Sequence, residues 1–246
     1  MYIWKYWRES RITFAIAALV LALAAWGLVS VPRAPEGFKL AAAADAVVIG
    51  LLSFPLAFLA WRFGSFGVGS DLGDKCGAYL FTRPRSRAFF VWHDWSYGMA
   101  QLFAIVVAMV LAVEMAFERA APGPRELGVA GQEVAPFTLG CLHCVTVILF
   151  VGLIFGLTYV CGIIARNKGM MMAAGLLLAY LVLKVVVAHY WPSVVLPDFM
   201  MSEFSVDSGR LMGFADHLAL SIALRAAAML AFPFAAQLLL QKRDID

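Results

Sequence analysis

The chain has 246 residues, 63% of them hydrophobic and 14% charged, with a mean hydropathy of +0.85 and a formal net charge of +3. Globular domains run nearer half apolar and a quarter charged, so this composition excludes a single water-soluble core and marks an integral membrane protein of one bundle, residues 1–246. Too little polar sequence remains for a separate catalytic domain, and the small net charge gives no ground for a nucleic-acid partner.

A helix crosses the ~30 Å hydrocarbon layer with about 20 apolar residues. Six runs meet that length, roughly 12–31, 40–62, 96–117, 137–163, 169–190 and 218–240. They are continuous and not alternating, so helices are expected and strands are not.

Ahead of the first run, MYIWKYWRESR mixes Trp4, Tyr6 and Trp7 with Lys5, Arg8 and Arg11. Rings at headgroup depth with cations in water fit either a short interfacial elbow helix or an aromatic belt at the start of the first span. The run itself is long for a signal-peptide core and lacks a small-residue cleavage site after Val31, so it reads as a retained span. With six spans both termini lie on one side. Placed in the cytoplasm, the inner segments hold twelve Lys and Arg (Lys5, Arg8, Arg11, Arg62, Lys75, Arg83, Arg85, Arg87, Arg166, Lys168, Lys242, Arg243) against five outside (Arg33, Lys39, Arg119, Arg125, Arg210). That asymmetry follows the positive-inside rule.

Between the second and third runs, Gly64 to Trp95 is too long for a minimal turn and too short for a domain, so one or two short helices against the membrane face are expected. Gly64, Gly67, Gly69 and Gly73 loosen its start; Asp71 and Asp74 suit a helix N-terminus; Pro84 ends what precedes it. Arg83, Arg85 and Arg87 form a basic cluster, and Phe89, Phe90, Trp92 and Trp95 re-enter the interface. Two readings stand: a piece held by another protein at the cytoplasmic surface, or a positive-inside loop with an aromatic belt that needs no partner.

In the fourth run, CLHC at 141–144 puts Cys141 and Cys144 on one helix face with His143 beside them. A disulfide or soft-metal site there lacks ligands and suitable geometry, and packing as small hydrophobes is the expected role of these thiols. Lys184 and Arg225 lie at similar outer-half depths, with Asp45, Glu114 and His189 placed to answer them. The five either pair and snorkel or line an outer substrate vestibule. The chain ends on QKRDID, and no soluble domain is expected after the last span.

The segment GDKCGAYLFTRPRSRAFFVWHDW resembles the coupling region of ABC-2-type ABC transporter permeases, where an acidic helix runs through a leucine-rich patch and a TRP-x-SR-like turn into the next span. The order of elbow, two spans, this loop, two spans, the basic turn IARNKG, a fifth span, a long outer loop and a sixth span agrees along the whole chain. The pattern departs at two points: the family's Gly-Thr falls on Lys75-Cys76, and its usual glutamates are shorter or absent here. The resemblance implies an all-α permease with six transmembrane helices, an elbow and a cytoplasmic coupling helix, in the plasma (inner) membrane of a bacterium. It also implies a docking element made of Asp71, Asp74, Tyr79, Leu80, Phe81, Arg83, Pro84, Arg85, Ser86 and Arg87, a separate ABC ATPase subunit that binds there, and a second permease copy or paralogue. No G-x-x-x-x-G-K-[ST] motif occurs, and the glycines at 67, 69 and 73 follow no strand, so no cofactor is expected in this chain and ATP with Mg belongs to the ATPase. Two other function classes stay open: a non-transporting anchor that recruits a partner, and an intramembrane redox or metal-handling protein built on Cys141 and Cys144.

Overall fold

The structure, a computed structural model, describes residues 2–30, 42–65, 68–73, 86–122, 125–127, 132–190 and 213–242. Six long helices dominate them: α1 (Tyr2–Val29), α2 (Ala42–Gly64), α4 (Arg87–Ala120), α5 (Pro136–Ala165), α6 (Gly169–Tyr190) and α7 (Gly213–Lys242), with the short α3 (Val68–Gly73) between the second and third of these. Each of the six apolar runs falls on one long helix. Four helical segments, Arg87–Ala120, Pro136–Ala165, Gly169–Val187 and Ile222–Lys242, are long and apolar enough to cross a membrane. This is an all-helical bundle compatible with membrane embedding.

Two expectations need correction. Strands do occur: β1 (Arg125–Leu127) pairs antiparallel with β2 (Gln132–Val134), Glu126 facing Glu133. The hairpin lies in the connection between α4 and α5, outside the apolar runs, where period-3.6 patterning has no hold. The amino-terminal elbow is not a separate element either. Residues 2–29 form one continuous helix, and no proline interrupts it.

α5 is the axis of the bundle, packing against α2, α3, α4, α6 and α7. In a membrane the hydrophobic effect does little to join helices, so close packing must do it, and small residues let backbones approach. A Cβ on Gly64 of α2 would lie 2.6 Å from the Phe155 carbonyl oxygen, so the end of α2 presses directly on the α5 backbone. Gly152 and Gly156 form two notches, one turn apart, which receive Met229 and Phe232 of α7. Trp95 also enters the second notch, its ring 5.0 Å from that of Phe155 and 6.1 Å from that of Tyr159. Phe90 and Trp95 are therefore core residues, whereas their sequence context placed them in an interfacial belt. The notch in the facing helix decides this, and no property of the aromatic run itself reveals it.

Candidate functional site

Two polar clusters among the described residues are candidates, one at an end of the bundle and one inside it. At the end where α4 begins and α7 stops, α3 lies on α5, on the 3-10 turn Arg166–Lys168 that follows α5, and on α4. The Val68 N–H donates to Asp94 Oδ2 at 2.9 Å, so a buried carboxylate of α4 receives the first turn of α3. Asp71 is the fourth residue of α3, and its side chain lies outside the described residues. Arg62, Arg166 and Lys168 are exposed at this end, which makes the surface around α3 basic.

Asp71 of the expected docking element falls in α3, and the side chains of its last two residues, Ser86 and Arg87, can be placed. Ser86 is the N-cap of α4, its hydroxyl oxygen accepting from the Phe89 N–H at 3.3 Å. Arg87 Nη1 donates to the Leu240 carbonyl at 2.7 Å, and more weakly to that of Gln241 at 3.4 Å, at the C-terminal end of α7. Trp92 Nε1 donates to Gln237 Oε1 at 2.9 Å, and the Trp92 ring meets Phe234 edge-on. Together these contacts clasp the start of α4 to the end of α7. Asp74, Tyr79, Leu80, Phe81, Arg83, Pro84 and Arg85 lie outside the described residues, as does Cys76.

Inside the bundle, Glu114 of α4 and His143 of α5 face each other, Oε1 to Nδ1 at 3.1 Å. Each sits six or seven residues from the nearer helix end, about 10 Å in by helix rise. Gly140 makes the room: a Cβ there would stand 3.2 Å from Glu114 Cγ. The second carboxylate oxygen of Glu114 is buried with no hydrogen-bond partner among the described residues. The Thr146 hydroxyl donates to the Leu142 and His143 carbonyls, so it closes on its own helix.

The other expected pathway residues lie on α2, α6 and α7. Arg225 is buried at 2% exposure on α7, Lys184 is half-buried on α6, and His189 is exposed with its ring against Tyr190. Asp45 is the fourth residue of α2, and its side chain lies outside the described residues. Glu114, expected to answer a cation, is engaged by His143. Cys141 and Cys144 are free thiols; Cys141 is exposed and Cys144 half-buried, so Cys141 is not the core residue its type leads one to expect. Among the described residues no three His, Cys, Asp or Glu side chains come together as metal ligands. Asp94 is not among the residues the sequence points to, and His143 is expected only as a neighbour of the two cysteines. The signal for Asp94 was in view, a lone carboxylate in VWHDWSY between two tryptophans, whereas that for His143 was masked by its cysteine neighbours.

No protein-family model, no curated protein and no solved structure matches the chain.

Proposed function

We propose that this chain is the transmembrane permease subunit of an ABC-2-type exporter, with six spans and both termini in the cytoplasm of a bacterium. A separate ATPase subunit holds ATP and Mg and docks on residues 64–95. Two permease subunits then alternate between inward-facing and outward-facing states as the ATPase closes. The observation that carries this reading is the seating of α3. A short helix between the second and third long helices rests on the basic 166–168 turn and is held by Asp94, at the end of the bundle that carries exposed Arg62, Arg166 and Lys168. Such a seat passes a push on the loop directly to α5, against which α2, α3, α4, α6 and α7 pack.

Arg83 and Arg85 are the residues assigned to the ATPase contact. Arg87 serves the bundle by holding the end of α7. The Arg83→Glu, Arg85→Glu double variant is expected to lose the co-purifying ATPase and the rise in ATP turnover on reconstitution, while the membrane fraction keeps its yield. An association that survives this charge reversal removes the loop from the docking role.

A further inference from the structure

A groove of about 280 Å³ runs between α1 and α4, walled by Phe14, Ala18 and Ala22 on one side and Ala104, Ala108 and Ala112 on the other, with Leu52 of α2 at its back. Ala18, Ala22, Ala104 and Ala108 are exposed, so the groove opens sideways off the bundle. From Phe14 to Ala22 the helix rises ~12 Å, so the groove is long, and its lining side chains are apolar.

Its mouth is polar. The Gln101 amide nitrogen donates to the Ser10 hydroxyl oxygen at 3.1 Å, which sets α1 against α4 at that level. Gln101 is 7% exposed, and its Oε1 is buried with no hydrogen-bond partner among the described residues. Gln101 precedes Ala104, Ala108 and Ala112 by three, seven and eleven residues, so it shares their face of α4. On α1, Arg11 precedes Phe14, Ala18 and Ala22 by the same three intervals and shares the groove's face there. Arg11 is exposed, as is Arg8 one turn earlier, and neither makes an ion pair among the described residues. Arg11 is also the last charged residue before a stretch without charge that runs to Val29, the position of a cation at headgroup depth.

We propose that this groove is the binding site of one anionic phospholipid, its acyl chain along the alanines and its phosphate on Arg11, with Arg8 adding charge. The inference rests on the chain's lying in a bilayer and is independent of whether it transports. Charge complementarity selects the occupant: an uncompensated arginine at the mouth of an apolar slot recognises a molecule with an anion at one end and an alkyl chain behind it.

The full chain, purified and delipidated in detergent, is titrated with phosphatidylglycerol and separately with phosphatidylcholine of the same acyl chains, and bound lipids are counted by native mass spectrometry. The first phosphatidylglycerol is expected to bind about fivefold more tightly, the effect of one cation near an anionic headgroup. Arg11→Gln, a change at an exposed position that leaves the fold intact, abolishes that preference. Ala108→Leu fills the groove and weakens both lipids. Equal affinity for the two lipids in the parent chain overturns the proposal, as does a preference that survives Arg11→Gln. A third overturning result is an Ala108→Leu chain that binds lipid normally but loses a dimer, which makes a helix of a second copy the occupant.

Discussion

Glu114 and His143 meet across the α4–α5 interface at 3.1 Å, with Gly140 hollowed out beneath the carboxylate. A carboxyl and an imidazole inside a helical bundle are costly apart and tolerable together, because each supplies the other's hydrogen bond. Interhelical polar contacts of this kind contribute about 0.6 kcal/mol on average and up to about 1.7 kcal/mol. A double-mutant cycle with Glu114→Ala and His143→Ala, followed by unfolding in detergent, is expected to show a coupling energy in that range. Glu114→Gln keeps a hydrogen-bonding amide in place and costs less than Glu114→Ala. Additive single effects would mean that the contact contributes nothing.

The notch at Gly156 is a steric requirement. A Cβ there would stand 2.2 Å from Phe232 Cδ2 and 2.9 Å from Trp95 Cη2, so α7 or Trp95 must move if any side chain is added. Overpacking of this kind costs about 1–3 kcal/mol. Gly156→Ala is expected to lower the thermal midpoint, and adding Phe232→Ala is expected to recover part of the loss. A midpoint unchanged by Gly156→Ala contradicts the packing described.

Asp94 holds the start of α3 from a different helix, and removing it leaves the Val68 N–H without that acceptor. Loss of a capping carboxylate costs about 1 kcal/mol, and here the loss is local. In Asp94→Ala, amide hydrogen exchange is expected to speed up over residues 68–73 while the interior of α5 stays protected. Uniform loosening of the whole bundle would instead assign Asp94 a global role in the core.

Arg166 has φ 55° and ψ −124°, the one positive φ outside glycine among the described residues. This strained backbone reverses the chain between α5 and α6, where Gly169 presses against Gly162 so closely that a Cβ on it would lie 2.5 Å from the Gly162 Cα. Strain of this type costs about 1–3 kcal/mol, and glycine relieves it. Arg166→Gly is expected to raise stability by about 1 kcal/mol, read as a higher unfolding midpoint, while removing one cation from the end that carries α3. A lower midpoint would show that the arginine side chain holds the turn.

Much of the bundle was legible in advance because a long apolar run has one way to satisfy its backbone where water is absent. Each of the six runs accordingly lies on a helix. The short helix between the second and third runs was legible from length alone. Less legible were contacts between distant residues. Nothing near Asp94 in the chain points to Val68, and nothing near His143 points to Glu114; 26 and 29 residues separate the partners. Aromatic residues misled for the same reason. Phe90 and Trp95 carry the composition of an interfacial belt, and a glycine about sixty residues away, Gly156, makes room for the tryptophan in the core.

By itself, then, the sequence determined that this chain is a bundle of long apolar helices, with a short helix between the second and third runs. Those are properties of composition and period, which each segment carries alone. The tertiary structure decided which polar groups meet: Arg87 with the end of α7, Asp94 with α3, Glu114 with His143, and Gln101 with Ser10 at the mouth of an alanine-lined groove. The physical reason is that helix formation is local, whereas the pairing of buried polar groups depends on which helix faces approach. That approach is set by glycine notches and close packing, which no single run contains.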